Sequence, residues 1–450
     1  MHVAILGAGI AGLSAASFLR NHPGIQVSVI EAATFVGGLA RSLRWNDFDL
    51  DLAPHRLYAD RRADVQDLLD RVPMHRLRRR SRIHIAGKWI QDPVNAAEVM
   101  ARFFPQPAFD IGWQYLRRKP QPEDSFESLV LARFGHGLNN FFFKPYSEKL
   151  FGIPADQISP EWGRRKIRVG GLRDMVRRRS RLYFKDFYYP REGGYGAIPA
   201  ALHRELPPSQ VRLGTRVTAI RRDAADGRFT CTLRQGDGPD TEEVFDAVLS
   251  SLPLTWLLEQ LGLRLDMAFQ PAMLTYLLVD RPRVTPNHWF YMADARHSIN
   301  RVAEFKNFAP PEHQLPPDQT VLCCEVTRTA DFSVERVIDE LRQIGILDPR
   351  WVRDTMTHRV AQAYPVYDLA YQDNWARAGA FTATMPNLFL LGRNAQFEHK
   401  DVDEIYADAR DIAARIKALA PRASRALAGD GALPLRRAPR ALSSTDATPL

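Results

Sequence analysis

Residues 3–12 read Val-Ala-Ile-Leu-Gly-Ala-Gly-Ile-Ala-Gly, a short apolar run that opens into glycines at positions 7, 9 and 12. An apolar helical pattern over 11–19 comes directly after it, and a second apolar run over 27–30 ends at Glu31. Strand, glycine turn, helix and strand in this order predict a parallel β-α-β unit. Within it Gly7 permits the tight turn, Gly9 lets the backbone approach a pyrophosphate, and Gly12 allows the helix to pack closely on the strand. The helix N-terminus then faces the anion. Glu31 stands 19 residues after Gly12, where an acidic side chain accepts hydrogen bonds from an adenosine ribose. A glycine turn without a ligand is the competing reading, and the place of Glu31 weighs against it.

The choice between NAD and FAD turns on the segment after Glu31. Val36-Gly37-Gly38-Leu39-Ala40-Arg41-Ser42 brings a second glycine pair, and this extension resembles that of FAD enzymes in the amine oxidase and protoporphyrinogen oxidase superfamily. The resemblance implies a buried FAD, rather than an exchangeable nicotinamide, with Gly37, Gly38 and Arg41 at the cofactor. Near the other end, Asn387-Leu-Phe-Leu-Leu-Gly392-Arg393-Asn394 is a strand pattern meeting a glycine, similar to the segment by which superfamily members return to the cofactor. Arg393 there can hold a phosphate bidentately. The alternative is an arginine in a surface ion pair. Val217, Gly392 and Asp403 complete the expected cofactor-binding set.

At 450 residues the chain is about three times the ~150 residues typical of one domain, so more than one core is expected. Hydrophobic residues at 45% and charged residues at 25% fit a soluble globular protein, and no apolar run approaches the ~20 residues that span a bilayer. Between 60 and 190 the chain turns arginine-rich and aromatic, with helical periodicity around 60–69, 125–134 and 138–150, as in an inserted, mainly helical lobe. Strand patterns return over 210–248. Val211-Arg-Leu, Arg216-Val-Thr-Ala-Ile, Phe229-Thr-Cys-Thr-Leu and Glu243-Val-Phe-Asp-Ala-Val-Leu predict one antiparallel meander. Further strands are expected at 274–279, 321–326 and 388–391, and helices at 334–344 and 403–419. The expected fold class is α/β, a discontinuous Rossmann-type FAD-binding domain (1–60, 190–265 and 380–420) with an inserted α+β substrate domain (61–189 and 266–379). Residues 421–450 lose all apolar periodicity and are expected to form a disordered tail.

Four blocks extend the resemblance to the UDP-galactopyranose mutase family. Phe48-Asp-Leu-Asp-Leu-Ala-Pro-His55-Arg-Leu-Tyr58 is similar to that family's Gly-x-His-Ile-Phe-His stretch beside the flavin, and Asn300-Arg301-Val-Ala-Glu304-Phe-Lys306 to its Thr-Arg-Ile-x-Glu-His-Lys. Ala363-Tyr364-Pro365-Val366-Tyr367-Asp368 is similar to Tyr-Tyr-Pro-Val-Asn-Asp, and Gly392-Arg393 through Asp401-Val402-Asp403 to Gly-Arg followed by Tyr-x-Met-Asp. The stretch 141–167 resembles protoporphyrinogen-oxidase-like flavoproteins instead. By these resemblances Arg301 is the candidate anion clamp near the flavin, the alternative being a structural arginine paired with Glu304 or Glu325. Tyr364 and Tyr367 lie over the substrate or serve as packing residues. His55 either hydrogen-bonds the flavin or is a core histidine. Two departures stand out: Ala53 replaces the family's glycine and Tyr58 its second histidine.

The excess of 61 Lys and Arg over 52 acids, net +9, is concentrated in three places. One is Arg76 to Arg82, where Arg82 can point into a substrate cavity and attract an anion. The second runs from Arg164 to Arg181. The last is the tail, whose five arginines and two aspartates leave only +6 for the rest. These clusters read otherwise as solvated faces. Cys231, Cys323 and Cys324 neither frame disulfides nor space like a zinc site, so no metal is expected and a reduced cytoplasm fits. The N-terminus begins directly with the strand pattern, leaving no room for an export signal. No nucleic-acid-binding pattern of interleaved aromatic and basic residues is present. The expectation is an FAD-dependent oxidoreductase acting on a small biosynthetic intermediate, its substrate a small molecule whose anionic or neutral character is left open. The alternative is a redox-neutral, mutase-like rearrangement of a nucleotide sugar.

Overall fold

The computed structural model describes residues 1–58, 62–92, 94, 96–167, 186–313 and 316–420. The expected tail and the arginines from Arg168 to Arg181 lie outside the described residues. The first strand, His2–Leu6, runs parallel to Gln26–Ile30 on one side and Ala247–Ser250 on the other. Val211–Arg212 and Leu388–Leu390 add the edges, so one five-stranded parallel sheet collects strands from distant parts of the chain. Its central strands are apolar at nearly every position because both faces are covered. The helix Ile10–Leu19 is buried almost all round, wedged between this sheet and the last helix, Val402–Leu419. Gly12 makes that seat possible: a Cβ there would lie 1.9 Å from the Gly7 carbonyl oxygen.

A seven-stranded sheet faces this layer. Its order is Val352–Pro365, Phe269–Val279, Thr320–Val326, Ile299–Glu304, Trp289–Met292, Ser81–Ile85 and Lys88–Gln91. All its pairings are antiparallel except Trp289–Met292 against Ser81–Ile85. One face shares a core with the parallel sheet through Leu274, Tyr276, Trp289, Ala303 and Cys323. The other is closed by the helix Val334–Gln343, whose Val337 and Leu341 meet Leu277, Phe290 and Val302. A helical layer, Phe126–Leu138, Lys144–Phe151 and Pro160–Lys166, has its own core around Phe134, Phe151 and Trp162.

The expected single meander is corrected in two places. Only Thr215–Arg222, Phe229–Gln235 and Asp240–Phe245 form it. Val211–Arg212 joins the parallel sheet, where Arg212 accepts from the Glu31 N–H, and the run after Phe245 breaks at Asp246, which donates its N–H to His2. Alternation identifies a strand but not the sheet that receives it. The run from Ile83 to Ile90 is a hairpin, turned at Ala86 and Gly87 with φ of 47° and 73°. Val352–Pro365 and the helix Tyr371–Ala383 were not expected. Both carry exposed charged faces that blur the apolar period. Among the described residues no helix is long and apolar enough to cross a membrane.

Gly12→Ala is expected to destabilise the fold by about 1–3 kcal/mol or more, because neither the strand nor the helix can retreat without opening the core. Urea unfolding measures it, and a wild-type midpoint would show that the close approach is not needed.

Candidate active site

The glycine turn ends at the N-terminus of Ile10–Leu19, where Gly9 offers no side-chain cap and the first turn holds no acidic residue. Uncapped N–H groups and the positive end of the helix dipole are left for an anion from outside the chain. Gly9 forms a backbone bridge with Gly37, and a Cβ on Gly38 would stand 3.1 Å from the Gly9 Cα. Two glycine turns thus meet backbone to backbone, leaving a smooth floor. Glu31, half-exposed, accepts N–H bonds from Ala8 and Ala33 at 2.8 Å each, which aims its carboxylate beside this floor. Val217 packs with Ile30 and Leu6 below. Gly392 lies against Ala11, whose Cβ would be 2.9 Å from any Cβ placed on Gly392.

Next to Gly38 opens a cleft of about 250 Å³ bordered by Phe35, Arg41, Leu52, His358 and Asn394. Arg41 stacks over Phe35 at 4.1 Å and meets His358 Nε2 at 3.3 Å. The buried Asn394 Oδ1 and His55 Nδ1 have no hydrogen-bond partner in the structure. An uncapped helix N-terminus, a Cβ-free floor and unsatisfied polar atoms along one line fit an extended dinucleotide such as FAD.

Beneath this line lies a buried carboxylate. Asp51 Oδ1 accepts from Ser42 Oγ at 2.6 Å and from the Tyr195 N–H at 2.8 Å, while Oδ2 accepts from Tyr189 Oη at 2.8 Å. Burial raises its pKa to about 6 against the effect of those three bonds. Tyr195 stacks on His55, their centroids 5.1 Å apart, so Asp51 anchors the floor of the site. Ala53, where the mutase family has glycine, is held at φ 68°, a left-handed conformation that costs an alanine about 1 kcal/mol.

Between the two sheets Tyr146, Tyr291, Arg301 and Tyr364 stay partly accessible although deep in the protein, which marks a hollow. Arg301 stands opposite Tyr291 on one neighbouring strand and Glu325 on the other. Its Nε and Nη2 donate to Glu325 Oε2 at 2.9 and 2.6 Å, and Tyr364 donates to Glu325 Oε1. Burial alone would lower the Arg301 pKa, but Glu325, then Tyr364, Tyr291 and Tyr146, hold it well above its ordinary value. Glu304 instead receives the Val284 and Thr285 N–H groups. Of the two partners open to Arg301, Glu325 is the one observed.

A second charge cluster lies beside it. Asp401 has a lowered pKa because Arg56, Lys166, Arg393 and His55 outweigh its burial. Lys166 is reached by water, yet burial of its surroundings lowers its pKa to about 8. His55 is pulled down to about 3, by burial first and then by Arg393 and Arg301, and so is neutral. Arg393 donates to the Ala363 and Lys400 carbonyls and lies 6.0 Å from the Tyr364 ring.

The structure therefore brings His55, Arg301, Tyr364 and Arg393 together, with Asp403 buried near Tyr195 at the start of the last helix. It does not bring Arg82 or Tyr367 to them. Arg82 pairs with Phe290 and so points to the face opposite Ile83 and Tyr291. Tyr367 is fully buried against Phe151, Trp162 and Tyr371, its hydroxyl accepting the His399 N–H. Arg56, Tyr146, Lys166, Tyr291 and Asp401 were not singled out. Only cross-strand register and helix packing assemble them, and neither is written locally.

A model of the family described as flavin containing amine oxidoreductase matches residues 10–417. The chain is 52% identical over 56 residues to the L-amino acid oxidase Cdc18 of Crotalus durissus cumanensis, covering 12% of this chain and 11% of that protein. It is 25% identical over 176 residues to coproporphyrinogen III oxidase of Staphylococcus aureus strain NCTC 8325 / PS 47, covering 35% and 38%. The chain thus spans well under half the length of these curated relatives. Among solved structures, reduced UDP-galactopyranose mutase superposes with a TM-score of 0.79 at 21% identity, over 93% of this chain and 96% of that one. Identity at that level speaks for a shared fold.

Asp51 binds its proton more tightly in the folded chain than in the unfolded one. Its contribution is complete below pH 3.8 and is lost as pH rises to about 6. Asp51→Asn keeps both Oδ1 contacts and is expected to remove that slope, gaining up to about 3 kcal/mol over wild type above it. Urea midpoints across the range decide this, and parallel curves for the two proteins would refute it. Arg301→Ala leaves Glu325, only 3% exposed, without its cation. An unfolding penalty of about 3–5 kcal/mol is expected, much reduced when Glu325→Leu is added. Equal stabilities would mean that the pair holds nothing in place.

Proposed function

The chain belongs to the flavin containing amine oxidoreductase family, and we propose that it is an FAD-dependent oxidoreductase acting on a small biosynthetic intermediate that bears an anionic group. The charge pattern of the hollow supports this reading. Arg301 is neutralised by Glu325, and burial raises the pKa of its neighbours Tyr146 and Tyr364, so the wall beside it is polar but uncharged overall. The uncompensated positive charge lies at Arg56, Lys166 and Arg393 around Asp401, enough to draw one acidic group. Bound FAD supplies the acceptor for the substrate's electron pair. The chain's own residues do the rest: the cations hold the acidic end, the tyrosines clasp the body, and the close-packed sheets exclude water. The pKa of His55 leaves it a neutral hydrogen-bonding group, not an acid.

Within the site, the residues proposed for FAD are Gly7, Gly9, Gly12, Glu31, Gly37, Gly38, Arg41, Val217, Gly392 and Asp403. Arg393, His55 and Tyr364 are proposed to border the substrate. A cytoplasmic setting belongs to the same reading, in keeping with three buried free cysteines. A second reading, redox-neutral rearrangement of a nucleotide sugar by reduced flavin, draws on the Arg301 block and the fold shared with UDP-galactopyranose mutase. It would ask Arg301 to serve a diphosphate through Nη1 while Glu325 holds its other side.

The two readings part in one assay. The holoprotein is mixed anaerobically with amines and with carboxylate-bearing porphyrinogens, and, after reduction, with UDP-galactopyranose. Bleaching of the flavin by a member of the first set, with no sugar isomerisation, is expected. Isomerisation seen only with reduced flavin, and no bleaching, would replace the oxidoreductase by the mutase.

A further inference from the structure

The parallel joint of the seven-stranded sheet sets Trp289–Met292 beside Ser81–Ile85, with Met292 opposite His84. Beyond it the chain turns through 293–298 into Ile299–Glu304. The Ala293 N–H donates to His84 at 2.9 Å, and the Ala86 N–H donates to both carboxylate oxygens of Asp294 at 3.1 and 3.0 Å. One backbone bond and the Asp294 carboxylate therefore hold this turn against the strand.

Three side chains converge there. His84 and His297 are each only 3% exposed. His84 Nδ1 and His297 Nε2 are buried and have no hydrogen-bond partner. One ring nitrogen of each histidine and an Asp294 oxygen lie within 4.8 Å of one another, and His84 Nδ1 is 4.0 Å from Asp294 Oδ2. A buried nitrogen without a partner costs about 1–3 kcal/mol, and each of the two histidines in this cluster carries one. A single cation would give both nitrogens a partner and would add to the bonds that Asp294 already accepts from Ala86 and Arg296.

We propose that His84, Asp294 and His297 form a zinc site, with water as the fourth ligand. Two imidazole nitrogens and a carboxylate oxygen are borderline donors that suit Zn²⁺ better than the oxygen-seeking Ca²⁺ or Mg²⁺. Donors about 2.0–2.1 Å from the metal stand about 3.3 Å apart in a tetrahedron, so each has to close by about 1 Å or less on average. Burial lowers the pKa of both histidines, so each presents a lone pair at neutral pH. Lys149 and Arg296 face the site and oppose a dication, while Glu340 beside His297 offsets part of that charge. His84 lies on the sheet face away from Tyr291 and Arg301, so the ion would staple the parallel joint and take no part in the flavin chemistry. Asp294 and His297 are close in sequence, but His84 is far from both and no cysteine takes part, which is why spacing along the chain gives no hint of the set.

Holoprotein treated with a chelator and dialysed would be titrated with Co²⁺ and then Zn²⁺, recording difference spectra, metal content by mass spectrometry and the thermal midpoint. One equivalent of Co²⁺ with tetrahedral ligand-field bands is expected, displaced by Zn²⁺, which also raises the midpoint. Asp294→Asn and His297→Gln should each weaken binding at least tenfold while keeping the flavin spectrum. No saturable cobalt spectrum, or affinities unchanged in both variants, would overturn the assignment.

Discussion

The contact between Gly12 and the Gly7 carbonyl is the constraint on which the rest of the architecture hangs. Because no side chain intervenes, the helix Ile10–Leu19 sits low on the parallel sheet and its uncapped end reaches the line where Gly9 touches Gly37 and Gly38. A helix lifted by one methyl group would point its dipole past that line. It would also lose its close fit beneath Val402–Leu419, the helix that carries Asp403 and begins beside Asp401. One backbone approach thus positions both the cofactor floor and the charge cluster next to it.

The second organising feature is electrostatic. Arg301 and Glu325 are brought face to face by strand register, and a pair so deeply placed is held because two guanidinium N–H groups donate to one carboxylate oxygen. Tyr364 supplies the remaining bond to the carboxylate. The result is a hollow in which one arginine is spoken for and a separate group of cations, Arg56, Lys166 and Arg393, keeps its field. Asp51, below the floor, shows the opposite balance: its bonds to Ser42, Tyr189 and Tyr195 do not fully offset burial, so it stays easy to protonate.

The features legible in the sequence are those where a backbone requirement dictates the residue. The glycine turn, Glu31 at the end of the second strand, and the glycine pair at 37 and 38 are local geometry, and local geometry is visible in one segment. Partnership is not. Val211–Arg212 and Ala247–Ser250 read as strands, yet only the arrival of Gln26–Ile30 and His2–Leu6 decides that they leave the meander. Arg82 was one residue out of phase with the hollow, an error that a period of two makes total. Tyr367, three residues after Tyr364 and just beyond the end of its strand, packs into the helical layer against Trp162 and Tyr371. The choice between Glu304 and Glu325 for Arg301 likewise needed the register of three strands.

In this member of the flavin containing amine oxidoreductase family, the two facing glycine turns are the proposed seat of FAD. The most direct measurement is the flavin content of the purified chain beside a Gly9→Val variant, whose side chain would stand on the floor next to Gly38. One FAD per wild-type chain and a folded variant that is colourless or nearly so are expected. A wild-type protein that is colourless and cannot be reconstituted with FAD, or a variant that retains a full equivalent, would contradict this.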